Sequence, residues 1–329
     1  MIIKNNKIIN KLLTLYRNAF CDPRDHKDLR YNAYLDYQGQ EANDFILNEL
    51  LTGKPLMISK FGTVELDNLV SRYINEKLGI FNKEVINDYL HYNNVCITPR
   101  RALYSLCNNA GFFPQSMKMS QMWYQRMIND IQEVDILGSY IYEEKYVSPL
   151  MNCKRVNIEG YFAPYMYDNP WSQILKGKKV LVVHPFVESI KSQYENRRTL
   201  LFKDPMVLPE FKELILIKAV QTMADSVDNR FSNWFEALKY MENEIDQYDY
   251  DIALIGCGAY GMCLAAHVKR MGKQAIHLAS MTQMLFGIYG KRWLDQEPEY
   301  RKYINEFWVR PNDSEKPFGA NKVEGACYW

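Results

Sequence analysis

No run of about 18 apolar residues occurs in the chain, so no segment has the length and hydropathy of a membrane-crossing helix. Charge of one sign is missing too. The 40 Lys and Arg against 39 Asp and Glu give no electrostatic reason to expect nucleic acid as a partner. The seven cysteines (Cys21, Cys96, Cys107, Cys153, Cys257, Cys263, Cys327) are odd in number, scattered, and form no C-x-x-C. This argues against a disulfide framework and a structural zinc site, and a reducing, cytoplasmic compartment is the simplest inference. H-E-x-x-H, G-x-S-x-G and G-x-x-x-x-G-K-[ST] are absent, so zinc proteases, α/β-hydrolases and P-loop enzymes lose their usual support. Internal repeats and low-complexity linkers are also lacking.

What is present is the composition of an ordinary globular protein, 47% hydrophobic and 24% charged. The opening "MIIKNNKIINKLLTLYRNAF" interrupts its apolar pattern with Lys4, Lys7 and Lys11, so it has no clean signal-peptide core. Ile8, Ile9, Leu12, Leu13 and Tyr16 share one helical face, for which packing on the body is expected ahead of a membrane-surface role. Residues 1–50 read as a helical segment packed on the body, with a polar break at "CDPRDHKDLRYN". Residues 51–329 read as a single domain whose tail, "RPNDSEKPFGANKVEGACYW", wraps back on it. The Arg100–Arg101 and Arg197–Arg198 pairs are read as solvated surface.

Strand candidates are "PLMISKFG", "DILGSY", "RVNIEG", "KKVLVVH", "LILIKAV", "DIALIG" and "QAIHL", several of them continuous apolar runs suited to strands covered on both faces. Helical patterns such as "TVELDNLVSRYI", "VESIKSQYENRRTLLF" and "SNWFEALKYMENEI" lie between them, and residues 83–132 are mainly helical. The alternation predicts an α/β, Rossmann-like fold with a mostly parallel sheet flanked by helices. Ligands of such sheets bind beyond the carboxyl ends of the strands, so the residues there are the candidates.

Gly256, Gly258 and Gly261 in "IGCGAYG" fit G-x-G-x-x-G at a strand-to-helix turn. Three readings stand. The turn holds a dinucleotide, or another nucleotide or its sugar conjugate, or its glycines serve strand–helix packing alone. The carboxylate that a dinucleotide's ribose wants after the next strand is missing from "HLAS", His277 to Ser280. Glu65 begins a helix past a strand, as a dipole partner or as a metal ligand or general base. His184 and His277 close two strands of one sheet, and Ser189, Gln193 and Asn196 recur at helical spacing after the first. The aromatic stretches "YFAPYMYDNPW" and "MWYQ" are compatible with sugar stacking, although most aromatics are core.

Taken together, "ISKFGTVEL", "GKKVLVVHPFVESIKSQY", "IGCGAYGMCLAAHVKRMGKQAIHLASMTQMLFGIYGKRW" and "VEGACYW" resemble bacterial proteins of the GT-D or GT-D-like glycosyltransferase fold, over roughly residues 50 to 329. The resemblance implies a Rossmann-like domain that transfers a sugar from a nucleotide-diphosphate sugar, typically a UDP-sugar. The acceptor would be a glycan or lipid-linked glycan in surface-polysaccharide or glycoprotein synthesis. It implies Glu65 as catalytic base or metal ligand. Lys60, Gly62, Thr63, His184, Ser189, Gln193, Gly256, Gly258, Ala259, Tyr260 and Gly261 would contact the nucleotide sugar. Members of the family carry an Arg-Phe-Gly-Asp-Gly-Glu stretch whose Asp-x-Glu serves a divalent metal; here Lys60, Thr63 and Val64 replace the Arg, Asp and Gly. Mn²⁺ or Mg²⁺ is therefore expected to be weak or absent, and NAD is not expected. Also expected are a cytoplasmic protein with at most peripheral membrane contact and no nucleic-acid partner, its oligomeric state open. The rival readings are a non-catalytic nucleotide-sugar or glycan-binding relative and an NAD(P)-dependent oxidoreductase.

Overall fold

The computed structural model describes residues 2–22, 35–91, 95–223, 226, 228–317, 319–322 and 325–329. Most of the polar break after Cys21, and Val323 and Glu324 of the tail motif, lie outside the described residues. Seven strands form one sheet: β1 (Leu56–Ser59), β2 (Ile136–Ser139), β3 (Lys154–Asn157), β4 (Lys179–His184), β5 (Glu213–Lys218), β6 (Ile252–Ile255) and β7 (Gln274–Ile276). Their spatial order is β3-β2-β1-β7-β6-β4-β5, and every neighbouring pair is parallel. The fold is thus α/β and Rossmann-like, with each of the seven strands where the apolar runs placed it.

Thirteen α-helical segments accompany the sheet among the described residues. In chain order they are α1 (Lys7–Phe20), α2 (Gly39–Leu51), α3 (Thr63–Tyr73), α4 (Lys83–Leu90), α5 (Pro99–Ala110), α6 (Met117–Asp130), α7 (Glu144–Val147) and α8 (Ile158–Phe162). There follow α9 (Val187–Leu201), α10 (Trp234–Asp246), α11 (Gly261–Arg270), α12 (Met281–Leu285) and α13 (Arg292–Asp295). None is long and apolar enough to cross a membrane.

Side chains alternate across a strand, so each strand feeds two cores. Met57, Leu181, Val183 and Ile255 point to a layer holding α3, α5, α6, α10 and α11, through residues such as Leu69, Leu106, Trp123, Trp234 and Leu264. Ile58, Val182, Leu254 and Ile276 point to the opposite layer, through Ile46 of α2, Tyr161 of α8, Ile190 of α9, Met284 of α12 and Trp293 of α13. The inner strands are buried at every position except Lys179, which opens β4, whereas the edge strands β3 and β5 mix buried with partly and fully exposed positions.

This layering positions the site. After β1 and β6 the chain leaves for the first layer, through α3 and α11; after β4 and β7 it leaves for the second, through α9 and α12. In the spatial run β1-β7-β6-β4 the exits therefore alternate between faces. Loops that part in opposite directions leave a crevice between them, above the carboxyl ends of the strands.

The two helices described among the first fifty residues divide between the layers. Ile9 and Leu13 of α1 pack on the first, and Ala42 and Ile46 of α2 on the second. Near the end of the chain Ala320, Ala326 and Trp329 cluster with Phe186, and Val309 bridges to Ile288.

Candidate functional site

A cleft opens where the strand exits diverge. From β1 come Lys60, Gly62, Thr63, Val64 and Glu65, from β2 Tyr140, and from β4 His184, Pro185 and Phe186. Ala219 to Met223 follow β5; Gly256, Cys257, Gly258 and Tyr260 follow β6; His277, Ala279 and Ser280 follow β7. Asn109 to Gly111 from the end of α5, with Gln283, Arg292, Tyr328 and Trp329, complete the wall.

Lys60 is half-buried, its ammonium 5.8 Å from the Tyr140 ring centre and 5.7 Å from that of Phe162. Burial holds its pKa below the ordinary lysine value; the Glu65 carboxylate pulls it up and Arg292 pushes it down. An incompletely hydrated ammonium beside a guanidinium favours an incoming anion. The Tyr140 hydroxyl donates to the Phe61 carbonyl at 3.1 Å, which ties the ends of β1 and β2 together.

Gly62 is the N-cap of α3, and Glu65 lies in its first turn. The carboxylate folds back over Gly62 so closely that a Cβ there would collide with it, its Cδ standing 2.7 Å away. Negative charge at this end of a helix is stabilised by the helix dipole. Thr63 is exposed at the rim.

His184 and His277 are both buried. Nδ1 of His184 accepts the Phe186 N–H at 3.0 Å, so when the ring is neutral its proton sits on Nε2. Nδ1 of His277 meets the Ser59 hydroxyl at 3.0 Å, and its Nε2 is buried without a hydrogen-bond partner. Burial lowers the pKa of each to about 3, with the Lys60 charge contributing at His277. Both rings are neutral at physiological pH.

Each glycine of the turn has a steric reason. A Cβ on Gly256 would lie 2.6 Å from Thr282 Oγ1 and 2.8 Å from His184 Cδ2. Gly258 has φ +56°, and a Cβ there would lie 2.9 Å from the Ala110 carbonyl oxygen. A Cβ on Gly261 would collide with Nε2 and Cδ2 of His277. Close packing therefore explains the pattern by itself, while Gly256, Gly258 and Tyr260 also face the cleft. Ala259 and Gly261 are buried behind them, outside the cleft lining.

Ser189 and Gln193 do not face the cleft. Glu315, buried, accepts the Glu188 N–H at 2.8 Å together with the amide and hydroxyl of Ser189, and the Asn312 N–H donates to Ser189 Oγ at 3.0 Å. Gln193 Nε2 donates to the carbonyls of Gly287 and Phe307, both at 3.0 Å. That face of α9 packs on Glu315 of the tail at Ser189 and on the carbonyls of Gly287 and Phe307 at Gln193. The carboxylate of Glu315 also occupies the α9 N-terminus, where an anion would otherwise dock. The aromatic stretches read for sugar stacking supply core residues, with Trp123, Tyr161 and Trp171 fully buried.

Sequence reasoning missed Arg292, Tyr140, Tyr328 and Trp329 as cleft residues. Arg292 Nη1 donates to the Tyr328 hydroxyl at 2.9 Å, with its guanidinium 5.1 Å from that ring centre and Nε 3.6 Å from Glu297 Oε1. Nothing local in "GKRWLD" marks it, because what brings it to Lys60 is the return of the chain after β7.

The cleft fits a divalent cation poorly. Glu65 is the one acidic side chain among its lining residues, and no group of three His, Cys, Asp or Glu placed to hold a metal exists among the described residues. Hard cations prefer several oxygen ligands.

No protein-family model and no curated protein matches the chain. Two solved structures are similar to it at low identity. One is described as a new glycosyltransferase (DUF1792) from Streptococcus sanguinis: 11% identical, TM-score 0.37, covering 85% of this chain and 96% of that one. The other is a selenomethionine-substituted domain of unknown function 1792: 14% identical, TM-score 0.36, covering 85% and 92%.

Proposed function

We propose that the chain is a glycosyltransferase that moves a sugar from a nucleoside-diphosphate sugar to a hydroxyl of a glycan or lipid-linked glycan acceptor. The observation that carries this reading is the meeting of Lys60 and Arg292, the latter also 3.6 Å from Glu297, with the one acidic side chain that lines the cleft, Glu65, in a crevice at the carboxyl edge of a parallel sheet. Two cations suit a diphosphate, and one carboxylate suits a proton acceptor.

In this reading Lys60 and Arg292 hold the diphosphate. The neutral His184 donates its Nε2–H to the sugar or a phosphate oxygen. The acceptor oxygen attacks the anomeric carbon as the bond from that carbon to the phosphate oxygen breaks. The acceptor proton passes to Glu65, and the electron pair leaves on the diphosphate. Catalysis then consists of positioning and of electrostatic stabilisation of the leaving group. A diphosphate held by side-chain cations needs no resident metal.

Calorimetric titration with UDP, GDP and NADH, each with and without Mn²⁺, tests the reading. Micromolar binding of one nucleoside diphosphate, with Mn²⁺ adding little, is expected. Glu65→Gln should keep that binding and lose sugar transfer. Binding of NADH alone would restore the dinucleotide reading of the glycine turn. Transfer retained in Glu65→Gln would remove Glu65 from the mechanism.

A further inference from the structure

Helix α1 differs from the other long helices of the protein in what it leaves uncovered. It buries no residue, whereas α2 buries four and α10 six. Its inward side rests on the first helical layer through Ile9 and Leu13, and Thr14 meets the Tyr89 hydroxyl at 2.9 Å. Arg17 lies over the Tyr89 ring at 4.4 Å, and Asn5, just before the helix, is fixed to Asn75 and Ile97. The helix is thus held to the body along one side by polar contacts and two aliphatic side chains.

The other apolar side chains of α1 face solvent. Ile8 is 72% exposed, Leu12 60%, Leu15 56%, Tyr16 53% and Phe20 75%. At 100° per residue these five span an arc of about 140°; Ile9 and Leu13 lie along its edge beside Phe20, where the stripe meets the protein, and Thr14 and Arg17 lie on the far side. Lys7 and Lys11 fall on the adjoining arc, with exposed Lys4 just before the helix. Residues 2–20 contain Lys4, Lys7, Lys11 and Arg17 and no Asp or Glu.

An uncovered apolar stripe of this length is unusual on a soluble surface and marks a site of contact. Its charge selects the occupant. In a symmetric contact with a second copy, the lysines beside one stripe would face those beside the other with no carboxylate of α1 between them, and like charges so placed repel. An anionic lipid surface supplies what both arcs require, headgroups for the lysines and acyl chains for the stripe.

We propose that α1 is a membrane-surface helix. It lies in the headgroup layer of an anionic bilayer with Ile8, Leu12, Leu15, Tyr16 and Phe20 inward and Lys4, Lys7 and Lys11 at the phosphates. No residue of α1 lines the cleft, so the inference stands or falls separately from the proposed transfer reaction.

Co-sedimentation of the full chain with vesicles of phosphatidylcholine alone, and of phosphatidylcholine with about a third phosphatidylglycerol, tests it. Binding to the anionic vesicles at low salt, absent on neutral ones and reversed at high salt, is expected. The Lys4→Gln/Lys7→Gln/Lys11→Gln variant should bind roughly 100-fold more weakly, at about a factor of five per lysine. Leu12→Gln/Leu15→Gln should also release the protein, with unchanged thermal unfolding because both side chains face water. Two results would overturn the proposal. One is wild-type protein that ignores anionic vesicles. The other is protein that is dimeric by light scattering and turns monomeric in the Leu12→Gln/Leu15→Gln variant, which would make the stripe a self-interface.

Discussion

Replacing Gly261 with alanine puts a methyl group where the His277 ring already sits. The added Cβ would overlap Nε2 and Cδ2 and lie 3.0 Å from Cε1. The ring cannot swing aside at low cost. Its Nδ1 is held by the Ser59 hydroxyl, its backbone N–H donates to the Ile58 carbonyl at 2.9 Å, and its own carbonyl accepts the Tyr161 hydroxyl. Relief must come from a shift of α11, which is packed on β1 and β7. Overpacking of this kind costs about 1–3 kcal/mol, against a helix-propensity gain for alanine of at most about 1 kcal/mol. A double-mutant cycle isolates the clash, because the propensity gain is the same in both backgrounds. Gly261→Ala should lower the guanidinium midpoint in the wild-type background and raise it, or leave it unchanged, beside His277→Ala. The coupling energy should be about 2 kcal/mol. Additivity within about 0.5 kcal/mol would refute the account of Gly261 as the residue that makes room for His277.

Lys60→Met should weaken nucleoside-diphosphate binding roughly 10- to 100-fold through loss of a charge-assisted hydrogen bond, while relief of ammonium burial keeps the melting temperature from falling; unchanged affinity by calorimetry would take Lys60 out of the site. Glu143 is buried, and desolvation raises its pKa from 4.5 to about 7. Its stabilising protonated form is fully present below pH 4.5 and is lost as the pH rises through 7, so Glu143→Gln should gain stability relative to wild type across that window. The gain should reach about 3 kcal/mol by urea unfolding at several pH values, and a pH-independent difference would show that Glu143 is not buried as described. Glu315→Ala should cost about 1–3 kcal/mol by stranding the Glu188 and Ser189 amides at the start of α9. Faster tryptic cleavage at Arg310 and Lys316 would report release of the tail, and an unaltered cleavage rate would deny Glu315 its anchoring role.

The strands were legible because their setting leaves a mark in the chain. A parallel strand covered on both faces must be apolar at every position, so runs such as "VLVV" and "IALI" have few alternatives. The strand-end residues followed from the same logic, since a parallel sheet presents all its carboxyl ends on one edge. Lys60, His184, His277 and the glycine turn do meet there. Ser189 and Gln193 show the limit. Helical periodicity put them on one face, but the identity of their neighbour depended on Glu315, Gly287 and Phe307, far along the chain.

The sequence by itself determined the α/β alternation, the sheet edge that carries the cleft and the glycine turn at the head of α11, because each follows from local periodicity and from the handedness of βαβ units. Tertiary structure decided the rest. It paired Arg292 with Lys60, gave each glycine its particular obstacle, sealed the start of α9 with Glu315 and left the outer stripe of α1 uncovered. These are contacts between residues remote in sequence, and no local pattern records the partner that chain packing will bring.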